Sequence, residues 1–179
     1  MPRAILTVAA IAFTVSVPGL AEELLTLSWD ATAPLSGMVG EDGVLVVTND
    51  TGGPMTAALA EIQEPGITAS WYALHGTVSY EGVGGIGFLE MWSVFPDGSA
   101  FFSRTLADFG PLRRITGSSK RREFGLPFSL GDATERPEIL TFNLMLPQAG
   151  TVKIGPIRLV QYASEQSLHQ ALAADGGAK

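Results

Sequence analysis

Seven side chains in this sequence are of types that hold polar ligands: Trp71, His75, Glu90, Trp92, Arg104, Arg122 and Asn143. Sugar rings lay their C–H faces on aromatic side chains, while carboxylate, amide and guanidinium groups hydrogen-bond the hydroxyls. A surface offering tryptophan, glutamate, arginine and asparagine supplies both kinds of contact. These seven therefore form the candidate ligand-binding set. The competing structural account is an ion pair. Glu90 and Arg104 fall on consecutive strands of one hairpin, where a charge among apolar neighbours needs a partner.

Catalytic chemistry finds less support. Of the two histidines, His169 lies in the tail, so a Ser–His–Asp triad would have to use His75, and no Gly-x-Ser-x-Gly elbow is present. The chain has no cysteine, which excludes thiol catalysis, disulfides, cysteine-held zinc and a lipoprotein anchor. Histidine pairs at metal-ligand spacing, P-loops and dinucleotide fingerprints are absent. A glycosidase needs two carboxylates facing one cleft, roughly 5–10 Å apart. Glu90 could supply one and Glu81 or Glu123 the other. However, the Glu-x-Asp-x-x-Glu spacing of the common jelly-roll glycosidases does not occur around Glu90. No residue is assigned a catalytic role.

Basic residues cluster. Arg104, Arg113, Arg114, Lys120, Arg121 and Arg122 make up over half of the 11 Lys and Arg. Such a patch suits an anionic glycan, envelope polymer or lipid headgroup. The same stretch also reads as a solvated loop, since Gly110-Pro111 and Gly117-Ser118-Ser119 interrupt it. The chain as a whole carries a formal charge of −7, which argues against a general nucleic-acid binder.

The elements that must position these residues are strands. At 46% hydrophobic and 16% charged residues over 179 positions, the chain can bury one ordinary core. Its 21 glycines and 11 prolines punctuate it at the short intervals of an all-β domain. Strands are expected over residues 24–29, 44–48, 67–80, 85–95, 100–106, 123–130, 139–146 and 151–161. Turns are expected at 81–84, 131–137 and 147–150, a loop at 108–120, and a hairpin turn at Pro96-Asp97-Gly98.

Alternation then sorts the faces. Ile86, Phe88, Glu90, Trp92 and Val94 share one face of their strand, opposite Leu89, Met91 and Phe95. Leu140, Phe142, Leu144 and Leu146 face a core, which leaves Thr141, Asn143 and Met145 as a mixed face that could bind. Tyr72, Leu74, Val78 and Tyr80 oppose Trp71, Ala73, His75, Thr77 and Ser79.

The N-terminus reads as an export signal. Arg3 is followed by an uncharged run over residues 4–17, then Pro18, and small residues at Gly19 and Ala21 place a cleavage site before Glu22. The run is shorter than the ~20 residues that span a bilayer. This gives a signal peptide at 1–21, a β-sandwich domain at 22–162 and a tail or linker at 163–179. Ser164 could cap a short helix through Ala173 in that tail.

Residues 76–161 resemble bacterial exported domains of the galactose-binding-like jelly-roll type, the architecture shared by many carbohydrate-binding modules. The resemblance rests on Gly76-Thr-Val-Ser-Tyr80 with Gly82-Val-Gly-Gly85, on Gly87-Phe-Leu-Glu-Met-Trp92, on Phe101-Phe-Ser-Arg104, and on Gly150-Thr-Val-Lys-Ile-Gly-Pro156. It implies an antiparallel β-sandwich that binds a ligand without catalysis. It also allows a structural calcium held by loop carbonyls and a carboxylate, and no other cofactor. The expectation is an exported, periplasmic or extracellular module for a carbohydrate or other polar cell-envelope polymer. A structural or protein-interaction module of the envelope is the alternative, and a glycoside hydrolase or lyase using Glu90 ranks third.

Overall fold

The computed structural model describes residues 21–176, so the expected export signal, apart from Ala21, lies outside the described residues. The elements in chain order are β1 Ala21–Leu27, β2 Met38–Val39, β3 Leu45–Asn49, β4 Met55–Gln63, β5 Trp71–Val94, β6 Ala100–Arg104, β7 Ile115–Ser129, β8 Ile139–Leu146, β9 Gly150–Tyr162 and α1 Glu165–Gly176. Every strand pair is antiparallel. The expected all-β, antiparallel sandwich of jelly-roll type with a helical tail is the fold of the chain.

The spine of the molecule is β5, a 24-residue strand. Two strands parted by a glycine turn at residues 81–84 were expected. The glycines instead bend the chain without reversing it. Gly82 and Gly85 take φ of +63° and +71°, and the pairing with β7 slips at Val78/Tyr80, Tyr80/Val83 and Val83/Gly87. Bulges of this kind let one strand pass from one sheet to another. The first half of β5 therefore pairs with β9 and β7 in a larger sheet that β1, β2 and β3 extend. The second half pairs with β8 and β6 in a smaller sheet closed by β4. Along one edge of β5 run β9 and then β8. Along the other run β7 and then β6.

The two inner faces meet in one apolar core. Leu74, Leu89, Met91, Phe124, Leu126, Phe142, Leu144, Ile154 and Leu159 are fully buried, and the Phe124 and Phe142 rings stack across the sheets at 5.8 Å. Polar groups in that core are paired, as burial demands. The Tyr72 hydroxyl donates to Ser93 Oγ at 2.7 Å, and Trp29 Nε1–H donates to the Gly155 carbonyl at 2.8 Å. Burial raises the Tyr72 phenol well above its ordinary value.

Three other expectations change. Residues 55–63 carried no strand expectation, because Met, Ala, Glu and Gln are helix formers. They form β4 because Ala57, Leu59 and Ile62 find the core. The loop expected over 108–120 ends early, since β7 starts at Ile115. The tail is a docked helix: Leu168 and Leu172 are buried against Ala73, Val160 and Tyr162 on the outer face of the larger sheet. Ser164 caps it as expected, its Oγ accepting from Ser167 N–H while Ser167 Oγ accepts from Ser164 N–H. No helix among the described residues is long and apolar enough to cross a membrane.

Candidate functional site

The structure divides the seven candidate residues among three places. Glu90, Trp92, Arg104 and Asn143 meet on the outer face of the smaller sheet. Trp71 and His75 lie on the outer face of the larger sheet, at α1. Arg122 sits at the β7 edge beside Tyr80.

Register explains the first group. Glu90 is opposite Arg104 on β6 and opposite Asn143 on β8, so the three form one row across the sheet. The next row is Phe102, Trp92, Thr141 and Glu61, and the row on the other side holds Phe88, Met145 and Thr56. Glu90 is 8% exposed, and its carboxylate is fully engaged. Oε1 accepts from Trp92 Nε1–H at 2.5 Å and from the Asn143 amide at 3.5 Å, and Oε2 accepts from Arg104 Nε–H at 2.5 Å. The ion pair that sequence offered as the structural account is present. It is one part of a four-residue network.

That network orients the exposed groups. The Arg104 guanidinium lies 4.0 Å from the Phe102 ring centroid and 5.0 Å from that of Phe88, a cation–π arrangement that holds it flat against the sheet. Trp92 and Phe102 pack with centroids 5.0 Å apart. Only Nε of Arg104 is used. Its terminal nitrogens, Asn143 Oδ1 and Thr141 Oγ1 have no hydrogen-bond partner among the described residues. The face therefore offers half-exposed aromatic rings next to donors and acceptors still free to bind.

The second group is closed. His75 is 3% exposed. Its Nδ1 meets the Asp175 carboxylate of α1 at 2.7 Å, and its Nε2 meets the Tyr162 hydroxyl at 2.6 Å. With Asp175 accepting from Nδ1–H, Nε2 accepts from the phenol. Burial, aided by the Asp175 charge, pushes the Tyr162 phenol up to about 12, which keeps that proton in place. The order Tyr–His–Asp is the order of a nucleophile, base and orienting acid. Sealed under a helix, it acts as a clamp that fastens α1 to the sheet. Trp71 packs half-buried against the same small core.

Sequence reasoning missed Phe102 and Phe88 as partners of Arg104, and Glu61 with Gln63 on the far edge of the face. The phenylalanines could have been found by alternation from Trp92 and Arg104. Glu61 could not. A bulge between Ala58 and Ala60 shifts the phase of β4, so alternation counted from Thr56 would turn Glu61 inward. Among the described residues, no three His, Asp or Glu side chains form a group that could hold a metal ion.

No protein-family model and no curated protein matches the sequence. Solved structures do overlay. The infectious bursal disease virus Gt strain structure matches at TM-score 0.49 and 12% identity, covering 92% of this chain and 38% of that one. A family 16 carbohydrate binding module-2 matches at 0.42 and 10%, covering 82% of this chain and 89% of that one. The CBM22-1 xylan-binding domain of Paenibacillus barcinonensis Xyn10C matches at 0.39 and 8%, covering 79% and 95%. This chain is thus a fraction of the length of the viral chain and near the length of the two modules. All three scores lie below 0.5, so the sandwich assignment rests on the strand pairing itself.

Proposed function

We propose that the protein is an exported, non-catalytic binding module, and that it holds a carbohydrate or similar polar envelope polymer on the outer face of the smaller sheet. One observation carries this reading. Phe102 stands exposed and Trp92 half-buried beside the terminal nitrogens of Arg104 and the oxygens of Asn143 and Thr141, none of which has a partner among the described residues. Stacking surface and hydrogen-bonding groups on one open face are what a sugar ring needs. Glu90 contributes from beneath, fixing Trp92 and Arg104 so that little rotamer entropy is lost on binding. A buried carboxylate held by three donors is also poorly placed for acid–base work, which supports binding over hydrolysis. Export rests on the leader at residues 1–21 alone.

The test is glycan-array and affinity-electrophoresis binding of the protein and of Trp92→Ala. The variant should lose at least about tenfold in affinity, ~1.4 kcal/mol, when assayed well below its melt with its strand content by circular dichroism unchanged. Equal binding by both would overturn the site. Release of reducing sugar by the protein, lost in Glu90→Gln, would replace a binding module with an enzyme.

A further inference from the structure

The flank where β6 and β7 follow one another along β5 holds cations that the face above leaves unused. Arg104 pairs with Glu90, and Arg114 pairs with Asp108 at 2.6 Å. Arg113 and Arg122 have no carboxylate at ion-pair distance among the described residues. Both converge on Tyr80 instead. Arg113 Nη2 donates to the Tyr80 hydroxyl at 3.3 Å and to Ser119 Oγ at 2.8 Å, and the Arg122 guanidinium lies 5.6 Å from the Tyr80 ring centroid.

Backbone carbonyls fix Arg122 in place: Arg113 O accepts at 2.6 Å and Glu123 O at 3.2 Å. Carbonyls supply only partial charge. The Nε–H of Arg122 is buried with no partner among the described residues. Two guanidiniums are thus held near one another against their repulsion, in a protein of net charge −7. An uncompensated pair of like charges calls for an anion. Exposed Lys120 and Arg121 continue the positive strip along β7.

We propose that Arg113, whose Nε–H and Nη1 have no partner among the described residues, forms with the fixed charge of Arg122 behind it an oxyanion subsite that takes a carboxylate or sulfate group of an acidic glycan. The inference rests on the carbohydrate reading and names its substrate class. A planar guanidinium fork matches either group in a bidentate manner. The subsite lies at β7 and the Arg104–Phe102 corner of the ligand face lies on β6, two strands that share one edge of β5. A polymer lying along that flank would meet aromatic rings at one point and paired arginines at the next.

Tyr80 reports on the site without any mutation. Burial by itself would raise its pKa, but the guanidiniums of Arg122 and Arg113 outweigh burial and bring it below the ordinary phenol value. The other two tyrosines, Tyr72 and Tyr162, are both shifted upward. Tyr80 is therefore the first phenol to ionise. An anion at Arg113 cancels part of their field, so it must move that titration up.

The experiment compares a uronate polymer, a sulfated polymer and a neutral glucan by affinity electrophoresis, with free inorganic sulfate and phosphatidylglycerol vesicles as further arms. Acidic polymers should bind at least about tenfold tighter than neutral ones, and Arg113→Gln should erase that preference while leaving neutral binding and the melt unchanged. Ultraviolet titration of the unmutated protein should show the earliest phenol shifting upward when the acidic polymer is added. Equal affinity for acidic and neutral polymers, or an unmoved phenol titration, would overturn the subsite and leave the Trp92 face standing. Binding of sulfate alone, or of vesicles alone, would overturn the glycan as the source of the anion. Loss of acidic binding in Arg113→Gln with no effect of Trp92→Ala would keep the subsite and remove the face.

Discussion

The outer faces of the two sheets begin from similar side chains and end in opposite states. On the larger sheet, a tryptophan and an ionisable residue, Trp71 and His75, lie at α1, and His75 is tied to Tyr162 and Asp175. On the smaller sheet, Trp92 and Glu90 are tied to each other, to Arg104 and to Asn143, and no helix among the described residues covers them. Both networks satisfy a buried polar group, as the low dielectric beneath a sheet requires. The difference is where the leftover capacity goes. Under α1 every donor and acceptor of His75 is consumed by the fold. On the smaller sheet the carboxylate is consumed, but the arginine, amide and threonine around it keep free positions. The first network is mortar and the second a mounting.

That contrast can be broken by experiment. Leu168→Ala should give the largest effect. It removes a buried anchor of α1 and should cost about 2–5 kcal/mol in urea denaturation, with glycan binding unchanged. Binding lost in parallel with stability would show that the two faces are not independent. Glu90→Gln should cost less, about 1–3 kcal/mol, because it weakens charge-assisted bonds without opening a cavity, and it should also weaken binding by freeing Trp92 and Arg104 to move. A variant that loses stability but binds as before would reduce Glu90 to mortar as well.

The smallest effect lies at alkaline pH. Burial pushes the Tyr162 phenol from its ordinary value of 10.0 up to about 12, so the folded state holds the extra proton. Its stabilising contribution is complete below the unfolded value and is lost as pH rises through the folded one. The melting temperature should accordingly fall between those values, and fall less steeply in Tyr162→Phe. An equal fall in both would mean that the clamp does not depend on the phenol proton.

Much of the bare face was legible, because it is built from local pairing. The turn Pro96-Asp97-Gly98 centres a hairpin on Asp97, so residues equidistant from it must pair: Glu90 with Arg104, and Trp92 with Phe102. Alternation likewise turned Thr141, Asn143 and Met145 outward together. Contacts of long sequence separation were not legible. Asn143 reaches Glu90 only because β8 docks on the far edge of β5, and Glu61 joins the row through a bulge that leaves no mark in composition. His75 was grouped with Trp92 because both side chains are of types that hold polar ligands. The bend at Gly82 and Gly85 carries them into different sheets.

By itself the sequence determined that the described chain is built largely of antiparallel strands, which residues share a face in the strands it marks, and which charges meet across a tight turn. Those follow from the two-residue period of a strand and the geometry of short turns, both local properties. Tertiary structure alone decided that α1 covers one face and not the other, and that Arg113 and Arg122 converge on one phenol with no acid between them among the described residues. Each depends on which distant surface is free to accept an apolar stripe or a charge, and no run of neighbouring residues encodes that choice.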